Sequence, residues 1–89
     1  MANLIKVNLV AADREIWSGE ASMVVAKTPE GEIGMLAGHE PFLAILIPGS
    51  IRVTTADGSK VVAETEAGGF LSMEHDTLTL VVRDAHLVS

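Results

Sequence analysis

The residues able to do chemistry are few and poorly placed for it. Three histidines, His39, His75 and His86, are the only imidazoles. None stands four residues from another, the spacing at which a helix offers two of them to one zinc ion, and His39-Glu40-Pro41 does not continue into the His-Glu-x-x-His pattern of a metalloprotease. His75 lies between Glu74 and Asp76, an arrangement open to acid–base work but also that of a polar turn between Met73 and Thr77. Ser18, in Trp17-Ser18-Gly19, lacks the Gly-x-Ser-x-Gly frame of a nucleophile and reads as a turn serine. Gly31, Gly34 and Gly38 form a loose ladder, with neither the Lys-Ser/Thr nor the helix start that a phosphate loop requires. Glu30 and Glu32 are two apart at what reads as a strand entry. Side chains at that spacing share a face, so the two carboxylates repel unless something basic meets them. The residues alone leave two readings of this pair open, a binding site for a basic partner and a solvated loop.

Composition narrows the class. The 89 residues are one domain's worth of chain, read as a single domain over 1–89. At 48% apolar content the chain can build a core. Cysteine is absent, which removes disulfide, zinc-ribbon and thiol-redox chemistry. Twelve acids against six Lys and Arg give a net charge of −6, which disfavours nucleic acid and anionic lipid and favours a basic protein partner. The start of the sequence runs directly into an alternating pattern with no signal-peptide features. The longest apolar run, Phe42 to Ile47, is far short of the roughly 20 residues of a membrane helix.

The elements that must carry these residues are strands. Ile5, Val7 and Leu9 alternate with Lys6 and Asn8. The same period of two recurs at Met23 and Val25, at Ile51 and Val53, and at Leu78, Leu80 and Val82. Between them lie Trp17-Ser18-Gly19, Pro29-Glu30-Gly31, Pro48-Gly49, Asp57-Gly58, Gly68-Gly69 and Glu74-His75-Asp76, all read as turns. Asp57-Gly58 predicts a hairpin joining Ile51–Thr55 to Lys60–Glu64. Ala37 to Leu46 reads as loop, then strand, because Gly38 and Pro41 oppose a helix. With Trp17, Phe42 and Phe70 the only aromatics, the core must be aliphatic. The pattern predicts an all-β sandwich of two packed sheets.

One stretch, Thr28-Pro29-Glu30-Gly31-Glu32-Ile33-Gly34-Met35-Leu36-Ala37-Gly38-His39-Glu40-Pro41-Phe42-Leu43, resembles the epsilon subunit of bacterial F-type ATP synthases. That family carries Glu-Gly-Glu-Ile/Leu-Gly followed after a few residues by Gly-His-x-Pro-Leu, matched here by Glu30–Gly34 and Gly38–Pro41. Val10 to Gly19 is similar to the family's first strand and aromatic-Ser-Gly turn. Pro48 to Val53 and Gly68-Gly69-Phe70-Leu71 extend the similarity along essentially the whole chain. Ala37 stands where the family more often has proline, and Phe42 where leucine is common.

The resemblance implies a sandwich of about ten strands and a non-catalytic central-stalk role. Its implied partners are the gamma subunit and the c-subunit ring, and indirectly the alpha/beta catalytic core. It further implies a peripheral place on the cytoplasmic side of the bacterial cell membrane, with no cofactor, metal or nucleotide site. Carried over by position, Glu30, Gly31 and Glu32 would meet the polar loops of the c ring. Ala11, His39, Pro41 and Leu43 would face gamma, with a turn-stabilising role for His39 as the other reading. Family members usually continue into a carboxy-terminal helical hairpin that restrains ATP hydrolysis, which the 89 residues do not include, so the expectation is assembly with little inhibition. A second class is a lipoyl- or biotinyl-type carrier modified at Lys60. It is disfavoured because Lys60 follows Ser59 and begins a strand instead of sitting at the turn tip.

Overall fold

Alternation of apolar and polar side chains places one residue in two on each face of a strand, and the chain follows this rule almost throughout. In the computed structural model, residues 3–38 and 40–88 are described. They contain nine strands: β1 (Ile5–Ala11), β2 (Glu15–Thr28), β3 (Gly31–Met35), β4 (Phe42–Leu46), β5 (Gly49–Thr55), β6 (Lys60–Thr65), β7 (Gly69–Glu74), β8 (Thr77–Val82) and β9 (His86–Leu87). No helix occurs among the described residues.

The hydrogen-bonded order is β4-β7-β8-β1-β2-β5-β6-β9, with β3 on the other side of β2. The layers are therefore one continuous sheet turned on itself. The turning element is β2, which at 14 residues is twice as long as β1 or β5. Its first half pairs with β1, ending at Ile5↔Ala21, and its second half pairs with β5, beginning at Ala21↔Thr55. A register shift between Ala21 and Met23 marks the corner, as bulges do where strands bend from one layer to the next. Ala21 is fully buried there. One layer is thus β4-β7-β8-β1 with the start of β2, and the other is β3, the end of β2, β5, β6 and β9.

The inner faces meet as a dry aliphatic core. Ile5, Val7, Leu9, Leu71, Met73, Leu78, Leu80 and Val82 from the first layer face Val24, Ala26, Met35, Ile51, Val53 and Ala63 from the second, all at 2% exposure or less. Burying one such side chain contributes roughly 1.5–3 kcal/mol. The aromatic residues stay at the margin: Trp17 and Phe42 pack against the core from its edge, while Phe70 points outward.

The sequence-based expectations hold for the β5–β6 hairpin, for the Pro29–Gly31 turn, and for the loop-then-strand reading of residues 37–46. The turn expected at Trp17-Ser18-Gly19 is not there. Those residues run through β2, and the reversal comes earlier, at residues 12–14, closed by the Ala11 N–H donating to the Arg14 carbonyl at 2.8 Å. The glycine serves packing instead, since a Cβ on Gly19 would stand 3.0 Å from the Trp17 ring. The described residues show nine strands, in line with the sandwich of about ten that the resemblance implies.

Candidate functional site: an acidic hairpin tip and an apolar sheet face

The β2–β3 tip is shaped by a buried hydroxyl. Thr28 is 2% exposed; its Oγ1 donates to the Gly31 carbonyl at 2.8 Å and accepts from the Glu30 N–H at 3.2 Å. Pro29 and Glu30 form the turn, and Gly31 closes it at φ +121°, a region that glycine enters without steric penalty. Glu30, Gly31 and Glu32 are all exposed at this tip. The two carboxylates do not form a bare repelling pair. Glu32 accepts a hydrogen bond and ion pair from Arg52 of β5, Nη2 to Oε2 at 3.0 Å, whereas Glu30 makes no ion pair among the described residues.

The second feature lies on the outer face of the first layer. Cross-strand register places Ile45 opposite Phe70, Phe70 opposite Val81, and Val81 opposite Val10. Four apolar side chains on four adjacent strands therefore form one row. Ile45 is 62% exposed and Phe70 48% exposed, and Leu43, two residues along β4, is 75% exposed. Single exposed apolar residues are ordinary, whereas contiguous apolar patches are common at interaction surfaces. Ala11 does not reach this face: at 7% exposure its methyl joins the core, and Val10 holds the outward position at that end of β1.

The segment leading into β4 is fastened at Gly38, whose N–H donates to Asp76 Oδ1 at 2.8 Å. His39 lies outside the described residues. Pro41 is exposed and lines a hollow of about 450 Å³ with Leu43, Ser72 and Glu74, beside the apolar row. The structure thus brings Pro41 and Leu43 to one face and sets Glu30, Gly31 and Glu32 at the tip of the other layer. Sequence reading missed Arg52 as the partner of Glu32, and it missed Ile45, Phe70, Val81 and Val10. A signal for the row was present: Phe42–Ile47 is apolar at every position, so a strand there is apolar on both faces.

The two described histidines lie apart: His75 is in the β7–β8 turn and His86 in the edge strand β9, 4.0 Å from Glu74 and 3.9 Å from Glu64 respectively. No group of three His, Asp or Glu able to hold a metal ion occurs among the described residues. Lys60 is the first residue of β6, and its Nζ donates to Thr54 Oγ1 at 2.9 Å. It lies along the sheet and away from the hairpin tip, unlike a carrier lysine.

A family model described as the ATP synthase, Delta/Epsilon chain, beta-sandwich domain matches residues 4–88. The chain belongs to the ATP synthase delta/epsilon chain family. Among its relatives, the ATP synthase epsilon chain of Streptomyces coelicolor is 48% identical over 87 residues, covering 98% of this chain and 69% of that protein. The epsilon chain of Micrococcus luteus is 46% identical over 83 residues, covering 93% of this chain and 90% of that one. The Micrococcus protein thus consists of little beyond the matched part. Among solved structures, a chain of the Euglena gracilis mitochondrial ATP synthase OSCP/F1/c-ring assembly superposes with a TM-score of 0.88 at 28% identity, covering 94% of this chain and 53% of that chain. A chain from the Tetrahymena thermophila mitochondrial ATP synthase central stalk and c ring shares the fold, with a TM-score of 0.69 at 20% identity.

What this sandwich presents is two surfaces, one charged and one apolar, held on a cross-bonded frame. No helix of the described residues is long and apolar enough to cross a membrane.

Proposed function

We propose that the chain is a non-catalytic rotor subunit of an F-type ATP synthase. In this reading it joins the gamma subunit to the c ring in the central stalk and supports the coupling of proton flow to ATP synthesis. The observation that carries this is the TM-score of 0.88 to a chain of an F1/c-ring assembly over 94% of the present chain. The apolar row supports it from the physics. Ile45, Phe70, Val81 and Val10, with Leu43 and Pro41 beside them, form the face turned to gamma, and His39 belongs to the same segment. The tip at Glu30, Gly31 and Glu32 meets basic side chains of the ring's polar loops. Ala11 contributes to the gamma face only by supporting Val10 from the core side.

The mechanical task is to pass torque without bending. A sheet that turns through β2 into both layers has no flexible connection between the two surfaces, since β2 pairs with β1, β3 and β5 along its length. The site in the cell is the cytoplasmic side of the bacterial membrane, within the enzyme complex. Residues 1–89 act as one docking domain.

Size-exclusion chromatography with purified gamma subunit, followed by intact-mass analysis, tests this. A stoichiometric and unmodified complex is the expected result. Separate elution overturns the stalk role, and added mass on Lys60 moves the carrier reading to first place.

A further inference from the structure

The charged side chains around Glu32 do not pair as their register suggests. Lys27 stands directly opposite Glu32 across β2 and β3, the position from which a cross-strand ion pair forms most readily. Its stem runs the other way. A Cβ on Gly49 would stand 2.7 Å from Lys27 Cδ and 3.5 Å from Cε, so the lysine lies over the bare glycine of β5. Glu32 is held instead by Arg52, which reaches from β5 across β2 to the carboxylate. The row that carries Arg52 continues through Val25 to Gly34. At Gly34 a Cβ would meet only the Met23 sulfur, at 3.9 Å, so this lane holds no side chain at its far end. Two glycines sort the two cations: Gly49 seats Lys27 away from the carboxylate, and Gly34 leaves the approach of Arg52 unfilled.

Resting on the reading that Glu32 docks against a basic loop, we propose that Arg52 is the positioning residue for Glu32. A carboxylate offers two oxygens. Arg52 engages Oε2 at 3.0 Å, and among the described residues no second cation pairs with Glu32. The Glu32 side chain is 46% exposed, so without Arg52 it samples many rotamers. With Arg52 in place Oε1 is presented in a narrow range of directions, and less rotamer freedom remains to be lost on docking. The partner feature that fits is a single Lys or Arg approaching the open oxygen from beyond the hairpin tip. A larger basic cluster would be opposed by Arg52 and Lys27.

The test titrates the 89-residue chain onto a purified gamma–c-ring complex lacking its epsilon chain. It compares wild type, Arg52→Met, Arg52→Lys, Glu32→Gln and the Arg52→Met/Glu32→Gln double variant. Methionine retains an apolar stem over Val25. Arg52→Met is expected to weaken binding about two- to fivefold, the range carried by an exposed pair, with Arg52→Lys restoring part of the loss. In the Glu32→Gln background the same change is expected to do nothing. In the free chain, carbon relaxation at the Glu32 Cγ is expected to report lower order in Arg52→Met, while the unfolding midpoint stays near wild type. Tighter binding by Arg52→Met overturns the proposal, because Arg52 would then compete with the partner's cation. Equal losses in both backgrounds also overturn it, because Arg52 would then touch the partner itself. If Glu32→Gln binds as wild type, the docking reading of Glu32 falls and the proposal with it. Relaxation would still show whether Arg52 orders the carboxylate.

Discussion

The Asp76 carboxylate accepts a hydrogen bond from the Gly38 N–H at 2.8 Å, joining two residues 38 apart and fastening the segment before β4 to the β7–β8 hairpin. Asp76 does this from a left-handed backbone at φ +57°, next to His75 at +52°. Two consecutive positive φ values in a two-residue connection are the geometry of a type I′ turn, which matches the twist of the flanking strands. The Asp76 carbonyl also accepts from the Lys6 N–H at 2.9 Å. Exchanging Asp76 separates these roles. Asp76→Gly keeps the turn and loses the anchor, so the Gly38 amide is expected to exchange faster while stability changes by about 1 kcal/mol or less. Asp76→Ala loses both and is expected to cost roughly 1–3 kcal/mol. Hydrogen exchange at Gly38 together with urea unfolding distinguishes them.

Gly68 and Gly69 are required by close backbone approach. A Cβ on Gly69 would collide with the Val81 carbonyl oxygen, and one on Gly68, at φ +75°, with the Leu46 carbonyl oxygen. Neither obstacle is a movable side chain, so the strands must separate. Gly69→Ala is expected to lower stability by about 2–4 kcal/mol, in the range of overpacking with backbone displacement. The urea midpoint should fall with little change in m-value.

At the β5–β6 turn, Asp57 accepts hydrogen bonds from the Thr55 hydroxyl and the Ser59 N–H. These hold its pKa down to about 2, from an ordinary 3.8, with the Thr55 contact the largest cause. The folded state favours the carboxylate, so this contribution is complete above about pH 4. It is lost as the pH falls through the folded value near 2. Asp57→Asn is expected to flatten that part of the acid-stability profile, and Thr55→Val to move the Asp57 titration, followed by NMR, upward.

On the apolar face, Ile45→Glu places a charge at a position that is 62% exposed. Stability is expected to stay within about 0.5 kcal/mol, as for surface substitutions generally. Binding to gamma is expected to fall at least tenfold, about 1.4 kcal/mol, because the row would bury an unpaired carboxylate. Co-elution and isothermal titration read the difference, and unchanged binding would remove this row from the interface.

For Glu32 the stability effect and the docking effect are expected to part. The Arg52–Glu32 pair is 50% and 46% exposed, so Glu32→Gln should cost under about 1 kcal/mol of folding stability. Docking to the ring should weaken by about 1–3 kcal/mol if the partner's cation is desolvated at the interface, and by less if it remains hydrated. Repeating the titration at several salt concentrations checks the electrostatic origin.

Much of the architecture was legible locally. Alternation at Ile5–Leu9, Ile51–Val53 and Leu78–Val82 reflects one buried face, and Asp57-Gly58 and Pro29–Gly31 supply turns through their own backbone preferences. Trp17-Ser18-Gly19 misled for a physical reason. A glycine within a strand can make room for a ring as readily as for a reversal, and the residues alone do not distinguish the two. The parallel pairing of β1 with β8 and the corner at Ala21 left no local mark, because both are relations between distant segments. Of the candidate site, Glu30, Glu32, Pro41 and Leu43 were visible as residues. Ala11 continues the inward series of Ile5, Val7 and Leu9, so the alternation already opposed the outward place that the resemblance implied for it.

The amino-acid sequence by itself determined the inner faces of β1, β5 and β8, the turns at Pro29–Gly31 and Asp57-Gly58, and that the result is a β-sandwich of the epsilon-chain type; it did not determine the phase of β2, where Val24 and Ala26 are buried and Met23 and Val25 only half-buried. Those properties follow from period, turn chemistry and motif, all written over a few consecutive residues. The tertiary structure alone decided which cation Glu32 meets, and that Val10, Ile45, Phe70 and Val81 form one row. The packing of inner faces sets the register between distant strands. Because side chains alternate with a period of two, that same register dictates which outer residues stand side by side.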